Sequence, residues 1–83
     1  MKTTVITAGV PIDLYGYASS ALIKLRLIAA LDGYLIGQRP ESCTEKIVKM
    51  SVRLPMNVAD LLKVKAESVS MTIVDYTAAL LRR

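Results

Sequence analysis

The chain has 83 residues, of which 53% are hydrophobic, and a formal net charge of +4 at pH 7. A chain of this length forms one small domain that buries only about 60% of its unfolded surface, so it often needs a disulfide, a metal or a partner chain. The single cysteine, Cys43, and the absence of histidine exclude an intramolecular disulfide and the common zinc sites. Oligomerisation is therefore the expected aid to stability, and the lone thiol favours a cytoplasmic protein.

The positive charge is concentrated in the second half of the chain. Residues 1–44 carry four cations and three anions, whereas residues 45–83 carry seven cations and four anions. A basic segment of this kind is consistent with binding to nucleic acid or to another anionic surface. The absence of histidine and of a glycine-rich phosphate loop argues against an enzyme, and no cofactor is expected.

Residues 1–37 are predicted to be an N-terminal extension with a role in packing or assembly. Residues 2–7 favour an extended conformation because Thr, Val and Ile are β-branched, and a turn is expected at 9–11. Residues 38–45 are polar and contain proline, which predicts a linker. The remaining residues, 46–83, form the second predicted unit.

One helix is predicted in the extension, from about Tyr17 to Leu31. Ser19 or Ser20 can cap its start, and Gly33 follows its end, where a left-handed residue is favoured. The helix is apolar on nearly all sides, which indicates that it is packed or bound by a partner. A membrane span is not expected, because charged residues interrupt the apolar segment: Lys24, Arg26 and Asp32.

The second unit begins with KIVKMSVRLP, residues 46–55, which alternates apolar and polar residues as a half-buried strand does. The apolar face consists of Val48, Met50, Val52 and Leu54. The polar face consists of Lys49, Ser51 and Arg53. Pro55 is expected to end the strand and to begin a helix, since proline lacks the N–H of a strand ladder but fits the first helical turn.

Two helices are predicted after this strand. The first is amphipathic and follows Pro55, and the second begins at Thr72 with the capping sequence TIVD. In that sequence the Thr72 hydroxyl accepts from the backbone N–H of Asp75. The inward face of the second helix is predicted to consist of Ile73, Tyr76, Thr77, Leu80 and Leu81, and Arg82 and Arg83 end the chain.

A single strand cannot form a sheet, and no internal repeat is evident, so the expected partner is the same strand of a second copy. The predicted fold class is mainly α with a single β-strand. Two intertwined chains would share a two-stranded antiparallel ribbon, and each chain would add an N-terminal extension containing a helix. A homodimer is therefore expected, with higher-order oligomers on DNA as a further option.

Residues 46–83 resemble the ribbon-helix-helix (Arc/MetJ-type) DNA-binding proteins. The resemblance rests on KMSVRLP, on Val58, Leu62 and Ala66 at intervals of four, and on the capped helix from Thr72. It implies an intertwined dimer in which the outward strand residues Lys49, Ser51 and Arg53 contact bases in the major groove. It also implies that Thr72 and Ile73 contact the DNA phosphates. The family often has glycine in the turn between the helices, where this chain has Ser70.

The expected function is that of a dimeric, sequence-specific regulator of transcription, with repression the favoured mode, from a plasmid or a phage. Its partner is double-stranded DNA, because a β-ribbon fits the major groove and Arg and Lys can donate to guanine. The alternative is an antitoxin or a plasmid partition or relaxosome accessory protein, which would bind a protein partner through residues 14–36. The polar strand face could also be merely solvated, since lysine commonly protects sheet edges.

Overall fold

A computed structural model describes residues 2–16 and 18–81. The predicted helix start at Tyr17 and the terminal Arg82 and Arg83 lie outside these residues. The described elements are, in chain order, β1 Thr3–Pro11, α1 Ile12–Tyr15, α2 Ser20–Asp32, β2 Ile47–Pro55, α3 Met56–Ser68 and α4 Ile73–Leu81. None of these helices is both long enough and apolar enough to cross a membrane.

The two strands pair with each other in one chain, and this pairing corrects the predicted fold class. They run antiparallel, with Thr3 opposite Pro55 and Pro11 opposite Ile47. The described residues therefore form a small α/β domain with two strands and four helices, and the expected single strand in a ribbon shared by two intertwined chains is wrong. The prediction failed because the first strand does not turn at residues 9–11. It remains extended to Pro11, which makes β1 as long as β2.

The ribbon has an approximate two-fold symmetry. Each strand has nine residues, and each ends at a proline that is the N-cap of the following helix. The backbone angles φ and ψ are −56° and 138° at Pro11, and −54° and 142° at Pro55. The pairing register places the centre of the symmetry at the Thr7–Ser51 pair, with four residues of each strand on either side of it.

Two backbone hydrogen bonds repeat about the same centre. The N–H of Ile12 donates to the carbonyl of Lys46 at 2.9 Å, and the N–H of Met56 donates to the carbonyl of Lys2 at 3.1 Å. The two donor residues are as far apart in the sequence as Pro11 and Pro55 are, and so are the two acceptor residues. The two ends of the ribbon are thus closed in the same way. The similarity fades beyond the first helical turn, because α1 has four residues and α3 has thirteen.

Helix α4 is the centre of the hydrophobic core. Its residues from Tyr76 to Leu81 are all buried, and it packs on β1, α2 and α3. The inner face of the ribbon contributes alternate residues to the same core, as a half-buried sheet must. The core residues of the two strands are Ile6, Ala8, Val10, Val52 and Leu54, and α2 adds Ile23, Leu27 and Leu31.

The turn from α3 to α4 is a Schellman motif with a serine at its left-handed position. Ser70 has φ 57°, and its N–H donates to the carbonyl of Glu67 at 3.0 Å. The N–H of Met71 donates to the carbonyl of Ala66, also at 3.0 Å. Ser70 therefore adopts the backbone conformation for which glycine is usual. The cap of α4 is confirmed, since the N–H of Asp75 donates to the Thr72 hydroxyl at 3.1 Å.

The N-cap of helix α2 is one of the two predicted serines, but the end of the helix differs from the prediction. The Ser19 hydroxyl accepts from the N–H of Leu22 at 3.2 Å, which confirms the N-cap. Gly33 has φ −77°, so the expected left-handed end is wrong. The buried ammonium of Lys65, on α3, instead donates to the carbonyls of Leu31 and Tyr34 at 2.7 and 2.5 Å. A cation from another helix therefore satisfies the negative end of α2.

Residues 38–45 have no regular secondary structure but are bonded to the end of α3. The guanidinium of Arg39 donates to the carbonyl of Val69 at 2.9 Å. Just before this segment, the N–H of Gly37 donates to the Ser68 hydroxyl at 2.8 Å. These bonds hold the connection between the two halves of the chain against the turn that precedes α4.

Candidate nucleic-acid interface

The outer face of the β1–β2 ribbon carries the three residues that the sequence predicts as base contacts. Lys49, Ser51 and Arg53 are all exposed, while Val52 and Leu54 between and beyond them are buried. This alternation follows from the two-residue period of a strand. The structure therefore brings the two cations and the hydroxyl together on one accessible surface, which we call the outer face.

Strand β1 supplies the other half of the outer face, and the sequence prediction missed it. Directly paired residues of antiparallel strands point to the same side of the sheet. Val5 is paired with Arg53, and Thr7 is paired with Ser51. Val5, Thr7 and Thr3 are exposed, so they stand beside the β2 residues.

A signal for this strand is present in the sequence but is short. The segments VPID and LPMN each join an apolar residue, a proline, a second apolar residue and Asp or Asn, and each follows a run rich in β-branched residues. The two prolines are Pro11 and Pro55. They mark the equivalent ends of β1 and β2 in the structure.

The electrostatics of the outer face are positive. Neither strand contains an aspartate or a glutamate, so the cations on β2 have no carboxylate on either strand. The guanidinium of Arg53 donates to the hydroxyl of Thr3 at 3.3 Å, across the strand pair. This single neutral contact leaves the charge of Arg53 available to a ligand.

Thr72 and Ile73, the predicted phosphate contacts, lie beside β1 and not beside β2. They border a shallow groove between the start of α4 and the middle of β1, and Lys63 of α3 borders the same groove. Sequence analysis did not single out Lys63 as a site residue. The N-terminal end of a helix is positive, so this groove combines a helix end with an exposed ammonium.

A second groove lies on the other side of the ribbon. Here the start of α2, with Ser20, Ala21 and Lys24, faces the β2 residues from Ser51 to Arg53. Each long side of the ribbon is thus flanked by the first turn of a helix and by a lysine. Sequence reasoning could not place Ser20 or Lys24 there, because it assigned α2 to a separate extension.

One end of the outer face is closed. A Cβ atom added to Gly9 would lie 2.3 Å from the carbonyl oxygen of Val74 and 2.9 Å from a methyl carbon of Ile47. Helix α4 therefore reaches over the ribbon at Gly9, next to Lys49, which is its paired residue. The open part of the outer face extends from there toward Thr3 and Arg53.

Comparison with known proteins gives no further guide to this site. No protein-family model, no curated protein and no solved structure matches the chain. The functional argument therefore rests on the geometry and the charge of the outer face and of its two flanking grooves.

Proposed function

We propose that the protein is a sequence-specific, double-stranded DNA-binding regulator that inserts the outer face of its ribbon into the major groove. The observation that carries this proposal is the position of Lys49, Ser51 and Arg53 side by side on the exposed face of a two-stranded ribbon. The major groove of B-DNA is about 12 Å wide and admits a two-stranded β-ribbon. The side chains of such a ribbon point directly at the base edges.

The chemistry of these residues fits recognition of bases. An arginine can donate two hydrogen bonds to O6 and N7 of guanine, a lysine can donate to the same acceptors, and a serine hydroxyl can serve either as donor or as acceptor. Thr72 and Ile73 would contact phosphate at the start of α4. The resemblance of residues 46–83 to ribbon-helix-helix proteins supports the same assignment of roles.

The alternative is that the outer face binds no ligand and is only a solvated surface. Lysines often protect the edges of sheets from pairing with other chains. In this structure the edge of β1 is already covered by α4, because the N–H of Gly9 donates to the Thr77 hydroxyl of that helix. This bond concerns β1, whereas Lys49 and Arg53 are on β2, so the binding-site selection described below decides between a solvated surface and a ligand site.

Regulation by such a protein would occur through occupation of an operator, so that repression is the favoured mode. We place this activity in the cytoplasm, on plasmid or phage DNA, as the composition and the resemblance suggest. The ribbon itself does not require a second chain. A homodimer or a higher oligomer would have to form through another surface.

The experiment is selection of binding sites from a random duplex pool, followed by titration of single variants. Arg53→Ala should weaken binding to the selected site by about 1–3 kcal/mol and relax the preference at one position, because one bidentate contact is lost. Arg26→Ala is the charge-matched control, since Arg26 lies on α2 near Leu80 and Leu81 and lines neither of the two grooves that flank the ribbon. A Lys49, Ser51 and Arg53 triple-alanine variant that selects the same sites with unchanged preference would refute the proposal.

A second candidate function is binding to another protein through residues 14–36, as in an antitoxin or a partition or relaxosome accessory protein. It is favoured by exposed apolar side chains in this segment, and the most exposed of those described are Leu25 at 65%, Leu35 at 74% and Ile36 at 60% of full exposure. Light scattering of the wild type and of Leu25→Ser tests self-association first. A wild-type mass larger than that of one chain, together with a smaller mass for the variant, would show a homo-oligomer formed through this segment. A monomeric wild type would exclude a homo-oligomer at this segment.

A further inference from the structure

The internal symmetry of the ribbon makes its two strands comparable, residue by residue. The relation that superimposes Pro11 on Pro55 places Val5 on Lys49, Thr7 on Ser51 and Gly9 on Arg53. In a ribbon built by two copies of one strand, the two residues of each such pair would be identical. Of these three pairs, only Thr7 and Ser51 are alike, since both carry a hydroxyl.

The outer face therefore presents two different ends to a ligand. At one end, Arg53 stands opposite Val5, which is 52% exposed, and its guanidinium contacts the Thr3 hydroxyl. At the other end, Lys49 stands opposite Gly9, which has no side chain and is covered by Val74. One end thus combines a fork-shaped cation with an exposed apolar side chain, whereas the other offers an isolated ammonium.

Each end matches a different feature of DNA. Arginine recognises guanine through two parallel hydrogen bonds, while an apolar side chain in the major groove contacts the methyl group of thymine. Paired side chains on antiparallel strands have Cβ atoms about 5 Å apart, so Arg53 and Val5 can contact the same base pair or neighbouring ones. A lysine is a point charge and discriminates less by geometry than arginine does.

We propose that one chain recognises one asymmetric DNA site. The Arg53–Val5 end specifies a guanine with a thymine beside it, and the Lys49–Gly9 end contacts the other half of the site with weaker base preference. A palindrome offers no advantage to this ribbon, because its two halves carry different side chains. This inference rests on the proposed DNA-binding function and adds the class of site and the stoichiometry.

The test uses the full chain and the duplex selected from a random pool. We expect a non-palindromic consensus with its strongest conservation at a guanine–thymine step, and native mass spectrometry should show one chain per duplex. Replacing that thymine by deoxyuracil removes only the methyl group. It should lower the affinity of the wild type about 4-fold, as expected for the loss of one buried methyl group.

Val5→Ser identifies the side chain that makes this contact. Because Val5 is half exposed, the variant should fold, and circular dichroism checks this. Its affinity should be the same for the thymine and the deoxyuracil duplex. Val64→Ser is the matched control, since Val64 is 49% exposed on α3, and it should retain the 4-fold difference.

The outcomes separate the inference from the function on which it rests. A palindromic consensus, or two chains per minimal site, would overturn the inference and leave DNA binding intact. A Val5→Ser variant that still distinguishes thymine from deoxyuracil would overturn the role of Val5. Failure of the wild type to enrich any sequence would instead overturn the proposed function itself.

Discussion

The backbone N–H of Gly9 donates a hydrogen bond of 2.8 Å to the hydroxyl of Thr77, and the two residues are 68 positions apart. The same hydroxyl lies 2.8 Å from the carbonyl of Ile73 and 3.0 Å from that of Val74, to which it can donate. Thr77 is fully buried. One side chain therefore satisfies a backbone N–H of β1 and attaches this strand to α4.

Thr77→Val should lower the free energy of unfolding by about 1–3 kcal/mol, because it keeps the shape of the side chain and leaves the buried N–H of Gly9 without an acceptor. Urea unfolding measures the change. Thr77→Ser retains the hydroxyl and is the control, with a smaller loss from the missing methyl group. Equal stability of the valine variant and the wild type would show that this hydrogen bond does not stabilise the fold.

Gly9→Ala tests how closely α4 approaches the ribbon. The added Cβ would lie 2.3 Å from the carbonyl oxygen of Val74, so the helix must shift, and we expect a loss of about 1–3 kcal/mol. Gly16→Ala is the control, because its Cβ would lie 3.7 Å from the nearest atoms. Thermal unfolding of both variants compares them. A Gly9→Ala protein as stable as Gly16→Ala would contradict the close contact.

Ser70→Gly should stabilise the protein. A left-handed backbone costs an L-residue about 1–2 kcal/mol, and the greater freedom of glycine in the unfolded chain offsets about half of this gain. A net increase of about 0.5–1 kcal/mol in the free energy of unfolding is expected. Ser70→Ala keeps the Cβ atom and should bring no increase, so a stabilised alanine variant would point to the serine hydroxyl and not to the backbone.

Lys65→Met should destabilise the protein by about 2–3 kcal/mol, because the carbonyls of Leu31 and Tyr34 lose a charged donor at the end of α2. Far-ultraviolet circular dichroism during urea unfolding gives both stability and helix content. Lys63→Met, two positions earlier and exposed, removes the same charge without these bonds and should change stability little. Equal effects of the two substitutions would disprove the role of Lys65 as a cap.

Tyr76→Phe should increase stability by about 1 kcal/mol or leave it unchanged. Tyr76 is fully buried, and its hydroxyl has no hydrogen-bond partner among the described residues. Phenylalanine therefore removes the cost of burying an unpaired hydroxyl and breaks no hydrogen bond. Differential scanning calorimetry at neutral pH measures the effect. A clear loss of stability would show that the hydroxyl is bonded in solution.

The same variant should alter the response to alkaline pH. Burial raises the pKa of Tyr76, and the neighbouring Tyr34 raises it further, so the fold favours the neutral phenol. This preference has no effect on stability below the ordinary tyrosine pKa of about 10, and stability falls as the pH rises above it. The Tyr76→Phe protein lacks this pH-dependent contribution. Its free energy of unfolding should therefore decline less than that of the wild type from about pH 9 to about pH 11. Parallel curves for the two proteins would contradict the prediction.

Local features of this protein followed from the sequence alone. The alternation from Val48 to Leu54 determined which side chains of β2 face outward, and Pro55 determined where the strand ends. The cap at Thr72 and the N-cap at Ser19 depended only on residues within one turn of themselves. Such features are set by a few neighbouring residues, so their pattern is visible in the chain.

The partner of β2 was decided only by the tertiary structure. Nothing within residues 46–83 indicates whether its edge pairs with another chain or with a distant segment, because backbone hydrogen bonds between strands are the same in both cases. Contacts with α4 hold β1 in this position, because Gly9 permits the close approach of the helix and Thr77 accepts the N–H at that position.

The composition of the outer face and the capping role of Lys65 have the same physical origin. Val5 and Thr7 become neighbours of Arg53 and Ser51 through strand register, and Lys65 reaches α2 through helix packing. The sequence by itself determined which residues of β2 could contact a ligand. Only the long-range packing decided what stands beside them, since contacts between residues more than 30 positions apart leave no periodic pattern in a single sequence.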